Sequence, residues 1–354
     1  MPGTIDWTRG YSSSWRVYRV DPRTWADAEP VGRVLDASVS RKLDGDAPTI
    51  DSASLSLTRE VGEGLPEGWY RIAMVARQGT ASERVDVATV WCAATGGTIE
   101  YSSEAVDVTG LSVLWPCSRR DLTPGSYAPG GVDGARWAAD LLASCTPAPV
   151  MVADGASFVL DDTIVFDGKA LEAVWEVLRA GGRTIRISGD GRITVRRTPT
   201  DPALNLDAVG VRLLQPGIGR GLDYSGVPNR YTVRYGGEEA VATNDDPASL
   251  TSTVTRGMVI DPDDGPDTSP RRVDGESLQA YADRRLEEES TVEDERTYSR
   301  EWWPAVLPGD LVRGTVASLG IDGDFRVSSQ QLTCGAGIVV EERASREVRT
   351  WLRG

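Results

Sequence analysis

The residue types that most enzymes use for acid–base and nucleophilic chemistry are scarce in this sequence. It contains no histidine, which excludes Ser-His-Asp and Cys-His nucleophiles and every zinc site that needs imidazole. Lysine occurs only as Lys42, in a charged turn, and Lys169, at the start of a predicted helix. Neither position favours a buried base with a shifted pKa. Without a GxSxG elbow or a GxxxxGK loop, the sequence predicts a protein that is not an enzyme and uses no cofactor.

Adjacent acidic residues are the remaining candidates for acid–base work. They occur as Asp161-Asp162, Asp245-Asp246 and Asp263-Asp264. A glycosidase needs its two carboxyl groups about 5–10 Å apart across a cleft. Neighbours within one turn do not meet this need, so we interpret the pairs as structural and keep a glycosidase only as a distant alternative.

Two segments have a partial likeness to binding motifs. Residues 261–267 have the aspartate spacing of a calcium loop, but Pro266 stands at the sixth position, where an EF-hand needs glycine, and Arg272 at the twelfth, where it needs glutamate. We predict a solvated acidic loop and no metal site, and leave cation binding by the loop open. Residues 217–221 contain part of a dinucleotide fingerprint without its final glycine or a following helix, so we interpret them as a linker.

Cysteines and tryptophans have different expected roles. The four cysteines are widely spaced and form no CxxC pair, which favours buried free thiols over disulfides or a metal site; they are Cys92, Cys117, Cys145 and Cys334. Most of the 11 tryptophans lie in periodic segments and are predicted to be core residues. Trp302 and Trp303 are adjacent, so in a strand they face opposite sides. We therefore predict that one of them makes a protein–protein contact, with a local cover over the end of a barrel as the alternative.

The charge and hydropathy of the sequence limit the kinds of partner that this protein can bind. The net charge is −15, and residues 221–295 contain 18 acidic residues against 7 arginines. Such a field disfavours wrapping around nucleic acid, because phosphate binding needs clustered cations. It suits a channel through which DNA slides, or an acidic surface that keeps the protein soluble. Asp6 and Arg9 argue against a secretory signal, and no apolar run reaches the roughly 18 residues of a membrane span, so we expect synthesis in a cytoplasm.

The pattern of apolar residues predicts β structure at both ends of the chain. Alternation predicts strands near 15–20, 52–57, 70–76, 85–91 and 98–108, and again near 230–235, 239–243, 310–316, 325–332 and 337–341. The strand at 85–91 is expected to bury one face, and Thr95-Gly96-Gly97 is expected to turn into the next strand. A helix near 278–286 is expected in the last third, with Asp274 as its cap.

The middle of the chain predicts an α+β insert. A helix is expected at 133–144 and another after Asp167, which is expected to cap it, with Gly181 ending it. A hairpin follows, turning at Gly189-Asp190-Gly191. The predicted fold class is mainly β with this insert, and the predicted domains are residues 1–118, 119–215 and 216–354.

Four segments in this order resemble the hub proteins of tailed-phage tails and contractile baseplates. They are residues 47–59 (APTIDSASLSLTR), 227–233 (VPNRYTV), 277–286 (SLQAYADRRL), and 304–312 (PAVLPGDLV) followed by 325–332. The resemblance implies two tail-tube-like antiparallel β-barrel domains in each chain, so that three chains present six barrels to a hexameric tube. It also implies that the insert braces the ring. The peptidase or lysozyme-like domain of some members is not expected here.

The resemblance makes a structural role in a virion the leading hypothesis. We expect a homotrimer at the tail tip that caps the tube, contacts tube, distal-tail and other tip proteins, and lines the DNA exit without sequence-specific binding. A hexameric distal-tail or adaptor ring is the first alternative. A carbohydrate-binding β-sandwich that uses exposed tryptophan is the second.

Overall fold

Strands dominate the structure, which is a computed structural model that describes residues 5–7, 10–31, 33–44, 47–60, 65–100, 103–206, 213–270, 275–315, 322–334 and 338–351. The strands of this part are β1 (Ser12–Val20), β2 (Asp27–Pro30), β3 (Arg33–Asp44), β4 (Ala47–Glu60), β5 (Gly68–Gln78), β6 (Ala81–Glu100), β7 (Ser103–Ser112), β8 (Ser126–Ala128), β9 (Val150–Val152), β10 (Ile164–Phe166), β11 (Arg183–Ile187), β12 (Ile193–Arg197), β13 (Pro202–Asn205), β14 (Leu213–Leu222), β15 (Arg230–Tyr235), β16 (Glu238–Thr243), β17 (Thr291–Glu301), β18 (Leu311–Gly314), β19 (Gly323–Cys334) and β20 (Ile338–Arg349). The helices are α1 (Trp115–Arg119), α2 (Gly134–Cys145), α3 (Ala170–Ala180), α4 (Thr253–Arg256) and α5 (Leu278–Glu289).

The chain divides into two compact units. The larger comprises Met1–Ile218 and Thr297–Ala344, and the smaller comprises Gly219–Arg296 and Ser345–Gly354. The predicted division into three domains, at residues 118 and 215, stays a prediction.

Most strands join one sheet. Their order is β14-β17-β20-β19-β3-β4-β7-β6-β5-β1-β2, with β18 pairing both β13 and β19. The ladders from β19 through β3, β4, β7, β6 and β5 to β1 are antiparallel. The order has two ends, so no sheet closes on itself within the described ranges, and the two predicted barrels stay a prediction.

Glycines within strands account for two corrections. Strand β6 runs without a break through Gly96 and Gly97, so the predicted turn there is wrong. The ladder with β7 instead shifts register between Ala94 and Gly96, as expected where a β-bulge lets a long strand twist. Residues 217–221, interpreted as a linker, lie within strand β14, because a glycine-rich segment can still complete a ladder through its backbone.

Residues 87–90 of strand β6 are buried on both faces of the strand, whereas the alternation of apolar and polar residues predicted one buried face. Val87 and Thr89 are buried as expected, but Ala88 and Val90 on the other side are 0% exposed as well. The register with β5 shifts here, and a segment far along the chain covers Thr89, whose hydroxyl donates to the Gly189 carbonyl at 2.9 Å. Burial on both faces therefore depends on a contact that the local pattern does not contain.

The helices and strands of the predicted α+β insert, within residues 115–197, form a module whose core is continuous with side chains of the large sheet, including Val20, Trp25 and Trp69. Helices α2 and α3 pack beside the sheet β11-β12-β9 and the two-stranded antiparallel sheet of β8 and β10. The module is tight around Phe158, since a Cβ on Gly134 or on Gly181 would lie 2.4 Å from its ring. Asp133 caps α2, as its position before the apolar stripe indicates. Asp167 does not cap α3: Lys169 holds that position, and its backbone N–H donates to Glu172 at 3.1 Å.

The smaller unit packs helix α5 against the hairpin β15–β16. Its core contains Val233, Ala242, Tyr281 and Leu286. Ser277 caps α5 by accepting from the Ala280 N–H at 3.1 Å; the expected cap Asp274 lies outside the described residues. Among the described helices, none is long and apolar enough to cross a membrane.

Candidate functional site

The residues considered for catalysis do not come together. Lys42 is exposed, and Lys169 forms an ion pair with Asp121 on the surface of the module. The three aspartate pairs lie on separate loops with at least one exposed member each. Within the described part of the chain, no three Cys, Asp or Glu side chains cluster as metal ligands would.

The carboxylates that end the acidic loop have partners in the protein. Asp261 accepts two hydrogen bonds from Arg230, at 2.7 and 2.6 Å, which lower the pKa of the Asp261 carboxyl. Burial alone would raise the pKa of Asp267, but hydrogen bonds from Tyr281, the Ser269 backbone and Tyr231 hold it below its ordinary value. These two carboxylates therefore brace the loop against β15 and α5. Arg272 lies outside the described residues.

All four cysteines are free thiols, as predicted. Cys92, Cys117 and Cys334 are buried, and Cys145 is half-buried. Burial raises the pKa of Cys92 and that of Cys334 to about 12. These thiols are therefore packing residues in the folded protein, because the reactive thiolate is suppressed.

Trp302 and Trp303 follow the end of β17 at Glu301, and each packs against the larger unit itself. Trp302 is 3% exposed and belongs to the core of the large sheet. Trp303 is half-buried and packs against a second cluster, which includes Tyr298 and Phe325. Neither is an open platform for a sugar ring, which the carbohydrate-binding alternative needs. The predicted protein–protein contact through this pair stays a prediction.

The segment that follows the tryptophans, residues 304–310, is held by a cluster of charges. Asp310 is 2% exposed and accepts hydrogen bonds from Arg196 at 2.6 Å and from the Leu307 N–H at 2.9 Å. Arg186 lies 3.8 Å from the same carboxylate and donates to the Ala305 carbonyl at 2.9 Å. Both arginines belong to the hairpin β11–β12. The hairpin of the module is therefore fixed to this segment by a buried acid and two arginines, which we call the Asp310 cluster.

A second buried set supports the same segment from the sheet. Arg300 donates to both carboxylate oxygens of Glu342, and Gln330 donates to Glu342 at 2.6 Å and to the Val306 carbonyl at 3.0 Å. Arg300, Glu342 and Gln330 are each at most 1% exposed. Burial, and next the charge of Glu342, raises the pKa of the neighbouring Tyr298 hydroxyl. Because isolated buried charges are costly, pairing with Arg300 stabilises the buried Glu342, and Gln330 links this pair to the Val306 carbonyl.

The turn of the β11–β12 hairpin makes a further attachment. The Asp190 carbonyl accepts from the Trp25 indole N–H at 2.8 Å and from Arg71 at 3.0 Å. Gly189 approaches the sheet so closely that a Cβ there would lie 1.8 Å from the Asp86 carbonyl oxygen. One hairpin thus attaches the module to the large sheet, through its turn and through Arg186 and Arg196 in its strands.

Sequence reasoning singled out residues 304–312 and the β11–β12 hairpin but not their contact. The signal available was the lone acid Asp310 within an apolar run, an unusual place for an unpaired carboxylate. Its partner Arg196 is 114 positions away. The chemistry of the cluster is structural: Asp310 is buried and its charge pairs with those of Arg196 and Arg186.

Comparison with known proteins finds similar solved structures but no similar sequence. No protein-family model matches this sequence, and no curated protein gives a significant sequence match. The 43 kDa tail protein of prophage MuSo2 from Shewanella oneidensis is similar in structure, with a TM-score of 0.60 at 12% identity over 94% of this chain and 98% of that one. A tail protein from Neisseria meningitidis MC58 has a TM-score of 0.60 at 15% identity over 96% of this chain and 97% of that one. At these identities the comparison shows a shared fold.

Proposed function

We propose that this chain, which has the fold of prophage tail proteins, is a structural subunit of the tail tip of a tailed bacteriophage. The observation that carries the proposal is the end-to-end likeness to two tail proteins, which covers at least 94% of this chain and at least 97% of each of those proteins. A likeness of this extent includes the module as well as the large sheet. The absence of histidine from the sequence and the structural nature of the Asp310 cluster support a role in assembly.

The specific role we propose is that of the hub. Three copies form a ring in which each contributes two tube-like β-barrels, so that a threefold ring matches a sixfold tail tube. Long antiparallel ladders with alternating burial support this arrangement, since they supply the curved walls that a tube needs. The hub would contact tube, distal-tail and other tip proteins. Its location would be the tail tip of the virion, after synthesis in the cytoplasm of the bacterial host.

The rigid attachment of the module supports a subunit that transmits force between its neighbours in the tail. The module is fixed at the turn of its hairpin and at the Asp310 cluster, so it moves with the large sheet. A subunit with this construction transmits displacement from one neighbour to the next. In the proposed ring the module braces adjacent copies.

The acidic composition supports a DNA exit path. A net charge of −15, with 18 acidic residues in residues 221–295, repels phosphates and so lets DNA pass without binding.

Native mass spectrometry of the purified chain, alone and with tail-tube protein, tests the hub role. We expect an assembly of three copies of the 38.1 kDa chain, in solution or formed on the tube. Six copies would favour a distal-tail or adaptor ring. A chain that stays monomeric under both conditions would contradict the proposal.

A further inference from the structure

The smaller unit presents an uncharged apolar ridge around helix α4. Its side chains are Leu250, Val254, Met258 and Val259, which are 63%, 59%, 58% and 48% exposed. Large apolar residues this exposed and this close in sequence are unusual for a surface that faces only water. We call these four residues the 250–259 ridge.

Buried polar side chains fix the backbone beneath the ridge. Asn229 donates to the carbonyls of Thr251 and Met258, at 3.2 and 3.0 Å, and accepts from the Ile260 N–H at 2.8 Å. Asn244 donates to Ser249 at 3.0 Å. Asn229, Asn244 and Thr251 are 0% exposed. The space beneath the ridge is filled by satisfied polar groups, so the apolar side chains have no core of their own to enter and stay outward in a fixed arrangement.

The one charged residue of this segment is turned back to its own unit. Arg256 donates to the carbonyls of Val227 and Tyr224. Its neighbours between residues 250 and 259 are uncharged. The ridge therefore offers apolar contact without a charge that a partner must neutralise.

The module carries an apolar groove of a different shape. Leu122, Pro124, Tyr127, Trp137 and Leu141 line a groove of about 390 Å³, and the other lining residues, Thr123, Gly125 and Ser126, are uncharged as well. Tyr127 is 57% exposed and pairs in register with Val165, which is 64% exposed, across β8 and β10. The inner wall of the groove is packed against the module core, since the centroids of the Trp137 and Phe166 rings lie 5.3 Å apart.

We infer that the 250–259 ridge of one copy docks into the Leu122–Leu141 groove of a second copy. A closed ring needs two different surfaces on each subunit, and this chain has an exposed apolar segment in the smaller unit and an apolar groove in the module, both uncharged. Charge also favours this pairing. Ridge against ridge would bring together two strongly acidic units, whereas residues 115–197 of the module contain ten basic and ten acidic residues. The inference rests on the proposed ring and specifies its contact.

Charge placed on the ridge tests the contact. Val254→Arg leaves an exposed position exposed in the monomer, but inserts a cation into the proposed interface. We expect it to raise the subunit dissociation constant about tenfold or more, as for a central interface residue. Val241→Arg is the matched control, since Val241 is 40% exposed in β16 of the same unit and lies outside the ridge. Its assembly should equal that of the wild type in native mass spectrometry.

Cross-linking tests which surfaces meet. Leu250→Cys and Tyr127→Cys variants of the full chain, each also carrying Cys145→Ser to remove the half-buried native thiol near the groove, are mixed and treated with a short bifunctional maleimide. They should give a covalent dimer that neither variant gives alone. A wild type that forms no ring would overturn the proposed function and this contact with it. A ring that survives Val254→Arg, or is lost equally with Val241→Arg, would overturn the contact alone. A ring whose mixture gives no more dimer than the single variants would overturn it as well.

Discussion

Replacing Asp310 with asparagine should destabilise the larger unit by removing the charge that pairs with two arginines. Asp310 is 2% exposed, while the side chains of Arg196 and Arg186 are 16% and 32% exposed. Losing one partner of a buried ion pair costs about 3–5 kcal/mol. Because Arg186 reaches water and asparagine can still accept from the Leu307 N–H, we expect about 2–3 kcal/mol for Asp310→Asn.

The assay is equilibrium unfolding in urea, followed by tryptophan fluorescence. Asp324→Asn is the matched control, because Asp324 also pairs with an arginine, Arg313, at 2.6 and 2.8 Å, but with side-chain exposures of 32% and 50%. An exposed pair contributes about 0–1 kcal/mol. The double variant Asp310→Asn with Arg196→Met should recover part of the loss, since it no longer leaves that arginine unpaired. If Asp310→Asn costs no more than Asp324→Asn, the cluster does not hold the module and the reasoning fails.

Three further predictions concern other parts of the structure. Gly189→Ala should lower the free energy of unfolding in urea by about 1–3 kcal/mol or more, because the new Cβ would meet the Asp86 carbonyl. Gly226→Ala, with open space around the glycine, should lower it by less than about 1 kcal/mol. An equal loss in the two variants would refute the close approach of Gly189. Trp302→Ala should lower the free energy of unfolding by about 3–5 kcal/mol; a near-neutral result would show that the ring is not core. The pKa of Asp267 is lowered in the folded state, so its contribution to stability is present above its unfolded pKa of about 3.9 and is lost as pH falls through the folded value. Tyr281→Phe should raise that pKa in an NMR titration, and an unchanged titration would contradict the assigned hydrogen bond.

The sequence was sufficient to predict the helices and hairpins that depend only on residues close together in the chain. Helix α2 (Gly134–Cys145) lies within one residue of the predicted helix at 133–144, because its apolar stripe falls within a dozen residues. The hairpin β15–β16 was predictable as well, because Gly236 and Gly237 take the positive φ values, 65° and 85°, that its turn requires. Such features depend on backbone geometry and on neighbours in sequence.

Distant contacts explain what the sequence could not reveal. Gly96 and Gly97 have the composition of a hairpin turn, yet they lie in a strand, because β6 pairs with β7 from Val90 to Glu100. Asp310 stands at the start of a predicted strand, but its pairing with Arg196 depends on a hairpin formed by another part of the chain. The 250–259 ridge contains apolar residues without strand or long-helix periodicity, and only the buried amides of Asn229 and Asn244 show why they face outward.

Cryo-electron microscopy of purified tails that carry a small tag on this chain tests the proposed function most directly. The account predicts tag density at the distal end of the tail tube, in three positions around the axis. Density repeated along the tube, in six positions, or absent from the tail would contradict it.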